Sequence, residues 1–368
     1  MKKNFFVWCA LIFATFVQAQ HEKPAGAIRF MTYNVSYCRG FDSYQNGSKT
    51  NPYNTQRIGK IIKALDPDVV ALQELDSGNI NKRFLLDDIR KATGVDYQVI
   101  YGASDKADVG NYGVGILIKR NIPVLDIKKK KLPGTLYGSN PIIKNNDRLL
   151  LRIMTENFYF NCTHLDLNTE QRVNSAAIIN NELDYLRKPS FLAGDLNDSH
   201  RWNGGAFTEF FNETWDIFST LEYTISEPEN HSTIDYILYY NYNNKNLYKS
   251  VGSRAVRGML EIPGESPIQV EYASDHLPVY ADVIFNNPSS TEILNSDEVK
   301  IIQEKDCIRF EGLEEGLYEV IISQLSGKTI YSSQVSNIVP IEINKLMKGP
   351  CLIRLTKGNQ YLCRKIII

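Results

Sequence analysis

Apolar runs of strand length recur along this chain, and several of them stop at polar residues that a packed core has no use for. Ile28-Arg29-Phe30-Met31-Thr32-Tyr33 leads into Asn34-Val35, and Asp68-Val69-Val70-Ala71-Leu72 into Gln73-Glu74. Phe158 to Thr163 leads into His164-Leu165-Asp166, and Phe191-Leu192-Ala193 into Gly194-Asp195-Leu196-Asn197-Asp198. Ile234-Asp235-Tyr236-Ile237 opens a further run, and Ser274-Asp275-His276-Leu277-Pro278 precedes the one at Val279 to Phe285. Strand ends gathered at one edge of an α/β core are where ligand sites are usually built. The pattern therefore calls for several strands delivering their polar ends to a common rim.

Between these runs lie amphipathic stretches. Thr55 to Leu65 carries Ile58, Ile61, Ile62 and Leu65 at helical spacing, Phe84 to Thr93 ends at Gly94, and Glu170 to Leu186 reads as a long helix. Gly113 to Ile118 and Leu149 to Met154 read as further strands. With no regular βα repeat, the expected architecture is a four-layered α/β sandwich, two packed mixed β-sheets flanked by helices. It is assigned residues 27–286. A polar, turn-forming linker is expected at 287–295, and beyond it only short strands remain, from Val299 to Ile368, which predict a small all-β sandwich over 296–368.

The 368 residues are 43% hydrophobic, enough for a sizeable core, and the formal net charge of −1 argues against tight, salt-driven wrapping of duplex DNA. Lys2 and Lys3, the apolar run Phe5 to Val17 and the small residues near Ala19 predict a signal peptide over 1–19. No stretch is long enough for a membrane span. With Cys9 in that leader, the remaining cysteines form no disulfide framework; Cys351 and Cys363 flank a predicted hairpin and are one pair placed to bridge. Lys128 to Lys131 reads as a solvated charge run, Tyr112 and Gly113 as strand packing, Arg172 as a structural ion-pair partner, and Asp166 and Asp198 as loop residues.

The polar strand ends suit hydrolysis of a phosphate ester. Glu74 can hold a hard, oxygen-seeking cation. Asp195 can orient a nucleophilic water, and Asn197 can donate to a phosphoryl oxygen. His276 can donate as an imidazolium if Asp235 fixes its ring.

At these residues the chain resembles the endonuclease/exonuclease/phosphatase superfamily, from about Arg29 to Phe285. The resemblance implies metal-side roles for Asn34, Glu74 and Asp275, with Mg2+ (or Mn2+/Ca2+) as cofactor. It implies catalytic roles for His164, Asp195, Asn197, Asp235 and His276, and a weaker phosphate-contacting match for Arg148. His164 is similar to the second histidine of the deoxyribonuclease and sphingomyelinase branches, which tilts the reading towards a phosphodiesterase over a phosphomonoesterase. The implied substrates are nucleic acid, a phospholipid head group or an inositol phosphate; the alternative is a non-catalytic surface-binding protein on the same fold.

The tail resembles the C-terminal sorting domains of type IX secretion, through Gly312-Leu313-Glu314-Glu315-Gly316-Leu317-Tyr318-Glu319-Val320, a turn at Ser326-Gly327-Lys328 and the closing Lys365-Ile366-Ile367-Ile368. That implies the type IX machinery as a partner and a monomeric enzyme that is secreted or held on the outer cell surface.

Overall fold

The computed structural model describes residues 21–41, 54–78, 84–107, 110–137, 142–186, 188–242, 246–262, 264–285, 299–313, 316–324, 328–336, 340–344, 346, 348–357 and 360–368. The predicted signal peptide (1–19) and linker (287–295) lie outside the described residues. The chain divides into two compact units, the first ending at Phe285 and the second spanning 286–368.

In chain order the first unit contains β1 (Ile28–Asn34), α1 (Thr55–Leu65), β2 (Val69–Asp76), α2 (Leu85–Thr93), β3 (Tyr97–Ala107), β4 (Gly110–Lys119), β5 (Asp126–Leu132), β6 (Thr135–Leu136), β7 (Ile143–Lys144), β8 (Arg148–Met154), β9 (Tyr159–His164), α3 (Thr169–Asn181), β10 (Ser190–Asp195), β11 (Asp216–Ile217), β12 (Asp235–Tyr240), β13 (Tyr248–Ala255), β14 (Met259–Leu260), β15 (Ile268–Gln269) and β16 (Val279–Phe285). Two six-stranded sheets form, ordered β13-β16-β1-β2-β4-β3 and β11-β12-β10-β9-β8-β5. Each is mixed: β1 runs parallel to β2 and β9 parallel to β10, while their other neighbours are antiparallel.

The layers follow from side-chain alternation along the strands. On β1, Met31 and Tyr33 face α1 and α2, where they pack with Ile58, Ile61, Ile62, Leu86 and Ile89. Phe30 points the other way, into the seam between the sheets, with Phe160, Phe191, Ile237 and Ala281. The second sheet repeats the scheme: Leu192, Tyr236 and Leu238 turn outward against Ala176 and Ile179 of α3 and against Phe207 and Phe211. The order is therefore helix, sheet, sheet, helix, as the sequence predicts.

Local chemistry sets the helix ends. The Asn54 side chain accepts the Arg57 N–H to start α1, and Asn168 accepts Gln171 N–H to start α3. Gly94 closes α2 in the left-handed region at φ 66°. The long helix expected through Leu186 stops at Asn181; Glu182–Tyr185 continue as a 3-10 turn. Among the described residues no helix is long and apolar enough to cross a membrane.

The second unit contains β17 (Lys300–Gln303), β18 (Cys307–Glu311), β19 (Leu317–Gln324), β20 (Thr329–Ser336), β21 (Ile341–Glu342), β22 (Pro350–Lys357) and β23 (Gln360–Ile367), in antiparallel sheets ordered β17-β18-β21 and β20-β19-β22-β23. Ile308, Tyr318, Val320, Ile322, Ile353 and Leu355 form its core. Cys351 is a buried free thiol paired in register with Ile366, so the bridge to Cys363 does not form.

One buried ion pair ties the first sheet to α1. Arg29 and Asp282 face each other across β1 and β16, joined by Nε–Oδ1 and Nη2–Oδ2 contacts of 2.7 and 2.8 Å. Arg29 Nη1 also donates to the Leu65 carbonyl at the end of α1. Removing one partner leaves a buried charge uncompensated. Asp282→Ala should lower unfolding free energy by about 3–5 kcal/mol, read by denaturant titration; a loss under about 1 kcal/mol, the range of an exposed pair, would show the pair to be solvated.

Candidate active site

Strand direction brings the predicted residues to one rim of both sheets. In register, Asn34 lies beside Gln73, Asp195 beside His164, and Asp195 also beside Asp235. Because β16 runs antiparallel to β1, the segment that enters it, Ser274 to Pro278, arrives at the same rim. The Ser274 hydroxyl donates to the Asn34 carbonyl and fixes that entry.

Two backbone irregularities aim side chains out of the alternation. Between the pairs Leu72–Gly115 and Leu75–Gly113, β2 carries one residue more than β4, and in that bulge Glu74 sits at φ 55°. Bulges re-aim side chains beside functional sites, and a left-handed non-glycine residue persists only where its surroundings hold it. Asn197 sits at φ 49°, with Asp195 Oδ1 accepting its N–H at 2.9 Å. Gly194 is required beneath it, since a Cβ there would lie 2.1 Å from the Thr163 carbonyl oxygen.

The centre of the site is the Asp195 carboxylate, only 1% exposed. Its Oδ2 accepts from Asn34 Nδ2 at 3.0 Å and lies 3.3 Å from His164 Nε2 and 3.6 Å from His276 Nε2. Burial, opposed by the nearby His276 and reinforced by Asp235, pushes its carboxyl up to about 7. His276 Nδ1 is bonded to Asp235 Oδ2 at 2.9 Å. Burial alone would lower the His276 pKa, but Asp235, Asp195 and Asp275 outweigh it and hold the ring protonated. His164 is the opposite case: burial, then Arg148 and His276, hold it neutral.

A hydrogen-bond pattern assigns its tautomer. Asn197 Nδ2 faces His164 Nε2 at 3.0 Å, which makes Nε2 the acceptor and leaves the proton on Nδ1. That proton meets the Tyr112 oxygen at 2.6 Å, which also accepts from Arg148 Nη1 at 2.9 Å. Arg148 in turn leans on Asp166 at 3.4 Å. Tyr112, Arg148, His164, Asp195, Asn197 and His276, with Tyr37, Asn146, Leu167 and Glu74, line a cleft of about 330 Å³.

Glu74 is half-buried at the cleft wall. Burial, and after it the Asp275 carboxylate, raises its carboxyl above the ordinary range. Acidic oxygens so gathered suit a hard cation. Asn34 serves this pair through its amide nitrogen, 3.2 Å from Glu74 Oε1, while its oxygen accepts the Ser36 N–H. Asp195, Asp235 and His276 also offer ligand atoms within 4.8 Å of one another. There, however, Nδ1 is bonded to Asp235 and a protonated ring fills the space between two carboxylates, which is an ion-pair arrangement and not a ligand set.

The fold and rim agree with what is found among known proteins. The family model described as Endonuclease/Exonuclease/phosphatase family matches residues 31–276. The chain belongs to this family. Its members are hydrolases that act on phosphate esters. No curated protein matches the chain. Among solved structures, an endonuclease/exonuclease/phosphatase from Bacteroides vulgatus is similar at 19% identity and TM-score 0.54, covering 71% of this chain and 99% of its own. One from Beutenbergia cavernae is similar at 16% identity and TM-score 0.53, covering 93% and 100%. A mannosyl-6-phosphatase from Bacteroides thetaiotaomicron shares 17% identity and TM-score 0.52 over 70% of this chain and 100% of its own. At these identities the likeness concerns the fold.

Within this family fold, the structure brings Glu74, His164, Asp195, Asn197 and His276 to the cleft wall, with Asn34 and Asp235 buried behind it and Asp275 half-buried beside His276. Arg172 is structural as predicted, its guanidinium donating to the Leu167 carbonyl and lying 3.8 Å from Asp198. Asp198 clamps its own loop by accepting from Ser199 and Ala206 N–H. Tyr112 corrects the sequence reading: it is not strand packing, because its ring reaches the cleft and its hydroxyl joins Arg148 to His164. An aromatic residue before glycines on a strand carried no signal for that. Tyr112→Phe leaves the His164 Nδ1–H and an Arg148 N–H without their acceptor. It should cost about 1–3 kcal/mol in denaturant unfolding; an unchanged midpoint would show that the bridge does not form.

Proposed function

We propose that this chain is an exported, divalent-metal-dependent phosphoesterase. One observation carries the catalytic reading: the Asp235–His276–Asp195 chain, the neutral His164 and the Glu74 carboxylate converge on one polar cleft. Glu74 and Asp275 supply the hard oxygens for Mg2+ (or Mn2+/Ca2+), and Asn34 braces Glu74 from behind. When bound, the cation neutralises charge on the phosphoryl oxygens. Asp195, with a carboxyl near neutrality, is suited to orient a water and take its proton. His276, held protonated by Asp235, is suited to donate a hydrogen bond to the phosphoryl group. Asn197 spends its amide hydrogens on His164 and the Leu165 carbonyl, and reaches a phosphoryl oxygen by releasing the first.

Phosphodiesters of nucleic acid or phospholipid, inositol phosphates and, given the fold shared with a mannosyl-6-phosphatase, sugar phosphates make up the substrate screen. The amino-terminal 1–19 are read as a signal peptide and 296–368 as a type IX sorting domain, which places a monomeric enzyme outside the cell or on its outer surface. Mass spectrometry of the native protein should find a start near Gln20; an intact Met1 would contradict export by this leader.

With a hydrolysed ester in hand, exhaustive chelation should abolish turnover and Mg2+ should restore it; full activity after chelation would remove the metal from the reading. A donor aimed at developing charge is worth roughly 3–4 kcal/mol, so His276→Ala should slow turnover by about two to three orders of magnitude. Asp235→Asn should cost less, and the double variant should be little worse than His276→Ala, because a partner then has nothing left to orient. Losses that multiply would show that the two residues act independently.

A further inference from the structure

A second, larger groove of about 770 Å³ is walled by segments that continue along the chain from those lining the catalytic cleft. Leu167 lines the cleft, and Thr169 and Glu170, just beyond it, line the groove. Asn146 lines the cleft, and Thr135 and Leu136, paired in β6 with the β7 strand that precedes Asn146, line the groove. Asn197 lines the cleft, and Gly204 and Phe210 further along the same segment line the groove.

The groove also has a polarity gradient. At the end of α3 nearest the cleft it meets Thr169 and Glu170; further along the helix it meets Val173, Ala177 and Ile178, with Asn174 the polar interruption. From Thr169 to Ile178 this wall is about 14 Å long at 1.5 Å per residue. Leu136 and Phe210 add apolar surface, Tyr137 is 80% exposed, and Leu167 at the junction with the cleft is 76% exposed.

We infer that this groove holds an alkyl chain of the enzyme's own substrate, so that the preferred phosphate ester is an amphiphile whose phosphate occupies the cleft and whose chain runs along α3. The inference rests on the phosphoesterase reading for the cleft. Its occupant follows from continuity: a molecule fixed by its phosphate at His276 and Asn197 passes Leu167 to reach Val173 and Ala177, and what it meets there is aliphatic. Binding energy gained in the groove, remote from the reacting atoms, is available to position the phosphoryl group.

The test compares methyl and octyl esters, both as phosphate monoesters and as p-nitrophenyl phosphodiesters, on the full-length mature protein and on the variant Val173→Gln/Ala177→Gln. Both positions are half-buried on α3, outside the core cluster, and glutamine keeps helix propensity. At about fourfold for each methylene removed from water, an octyl chain with two methylenes covered should raise kcat/KM by about fifteenfold over methyl. The variant should lose most of that preference and keep the methyl ester rate within about twofold. Equal rates on methyl and octyl esters, or a variant that slows both alike, would overturn the proposal. Calorimetry with octylphosphonate and methylphosphonate reads the groove without turnover. Octylphosphonate binding tighter than methylphosphonate and equalised in the variant, with no ester hydrolysed under any metal, would refute the phosphoesterase reading and keep the groove as an alkyl-phosphate site; hydrolysis with no octyl preference would refute the groove alone.

Discussion

The Asp195 carboxylate is the joint on which this molecule turns. It is buried at the rim where the two sheets meet, and it is reached from both: Asn34 comes from the first sheet, His164 from the second, and His276 from the segment entering β16. Burying a charge is costly unless it is paired and hydrogen-bonded. The Asn34 amide, the protonated His276 and the Asn197 N–H answer that cost, and in doing so they fix how the polar ends of the sheets face each other. Below them Thr32, Gln73 and Cys162 form a short buried polar link between the sheets, and beyond it the seam is aromatic, with Phe30 stacked 5.2 Å from Phe160 and tilted 4.4 Å from Phe191. A polar cap over an aromatic seam holds the site on a closely packed base.

The central strands and the site were readable in the sequence for the same reason. β1, β2, β9, β10, β12 and β16 are buried on both faces, so they appear as continuous apolar runs, and their polar ends stand out by contrast. The strands of the two large sheets that escaped notice, β3, β5, β11 and β13, each lie at the edge of a sheet. β5 is the clearest case: the lysine run Lys128 to Lys131 reads as a solvated face, and it is one, yet it pairs with β8 residue by residue. Edge strands tolerate charge because lysines there discourage pairing with other chains. The bulge at Glu74 was equally invisible, since nothing in Leu72-Gln73-Glu74-Leu75 signals one residue too many. Tyr112 was missed because its role depends on Arg148 and His164, 36 and 52 residues away.

A chain with net charge −1 has no general field to draw phosphate, so attraction is local. Arg148 and the protonated His276 provide it at the cleft wall, and selectivity falls to the segments that leave the rim. Three of those segments, after Leu132, after His164 and after Asp195, start from fixed strand ends and then diverge. Loops anchored in this way can change the alcohol side of a substrate without disturbing the groups that meet the phosphate, which fits a family in which structures under 20% identical share one fold.

The charge inventory of the rim gives the strongest physical argument for a cation. Glu74, Asp195, Asp235 and Asp275 crowd around one protonated imidazole, and the guanidinium of Arg148 is already shared with Asp166. Both Glu74 and Asp195 are pushed upward, which is how a carboxylate responds when water is excluded and the neighbouring charge is insufficient. A phosphate ester entering this cleft brings further negative charge into the same confined space. The protein's own cations at this wall, His276 and Arg148, are already shared with Asp235 and Asp166, so they offset only part of that charge. Under the proposed function, a divalent ion held by Glu74 and Asp275 would supply the rest and leave Asp195 free to accept from a water.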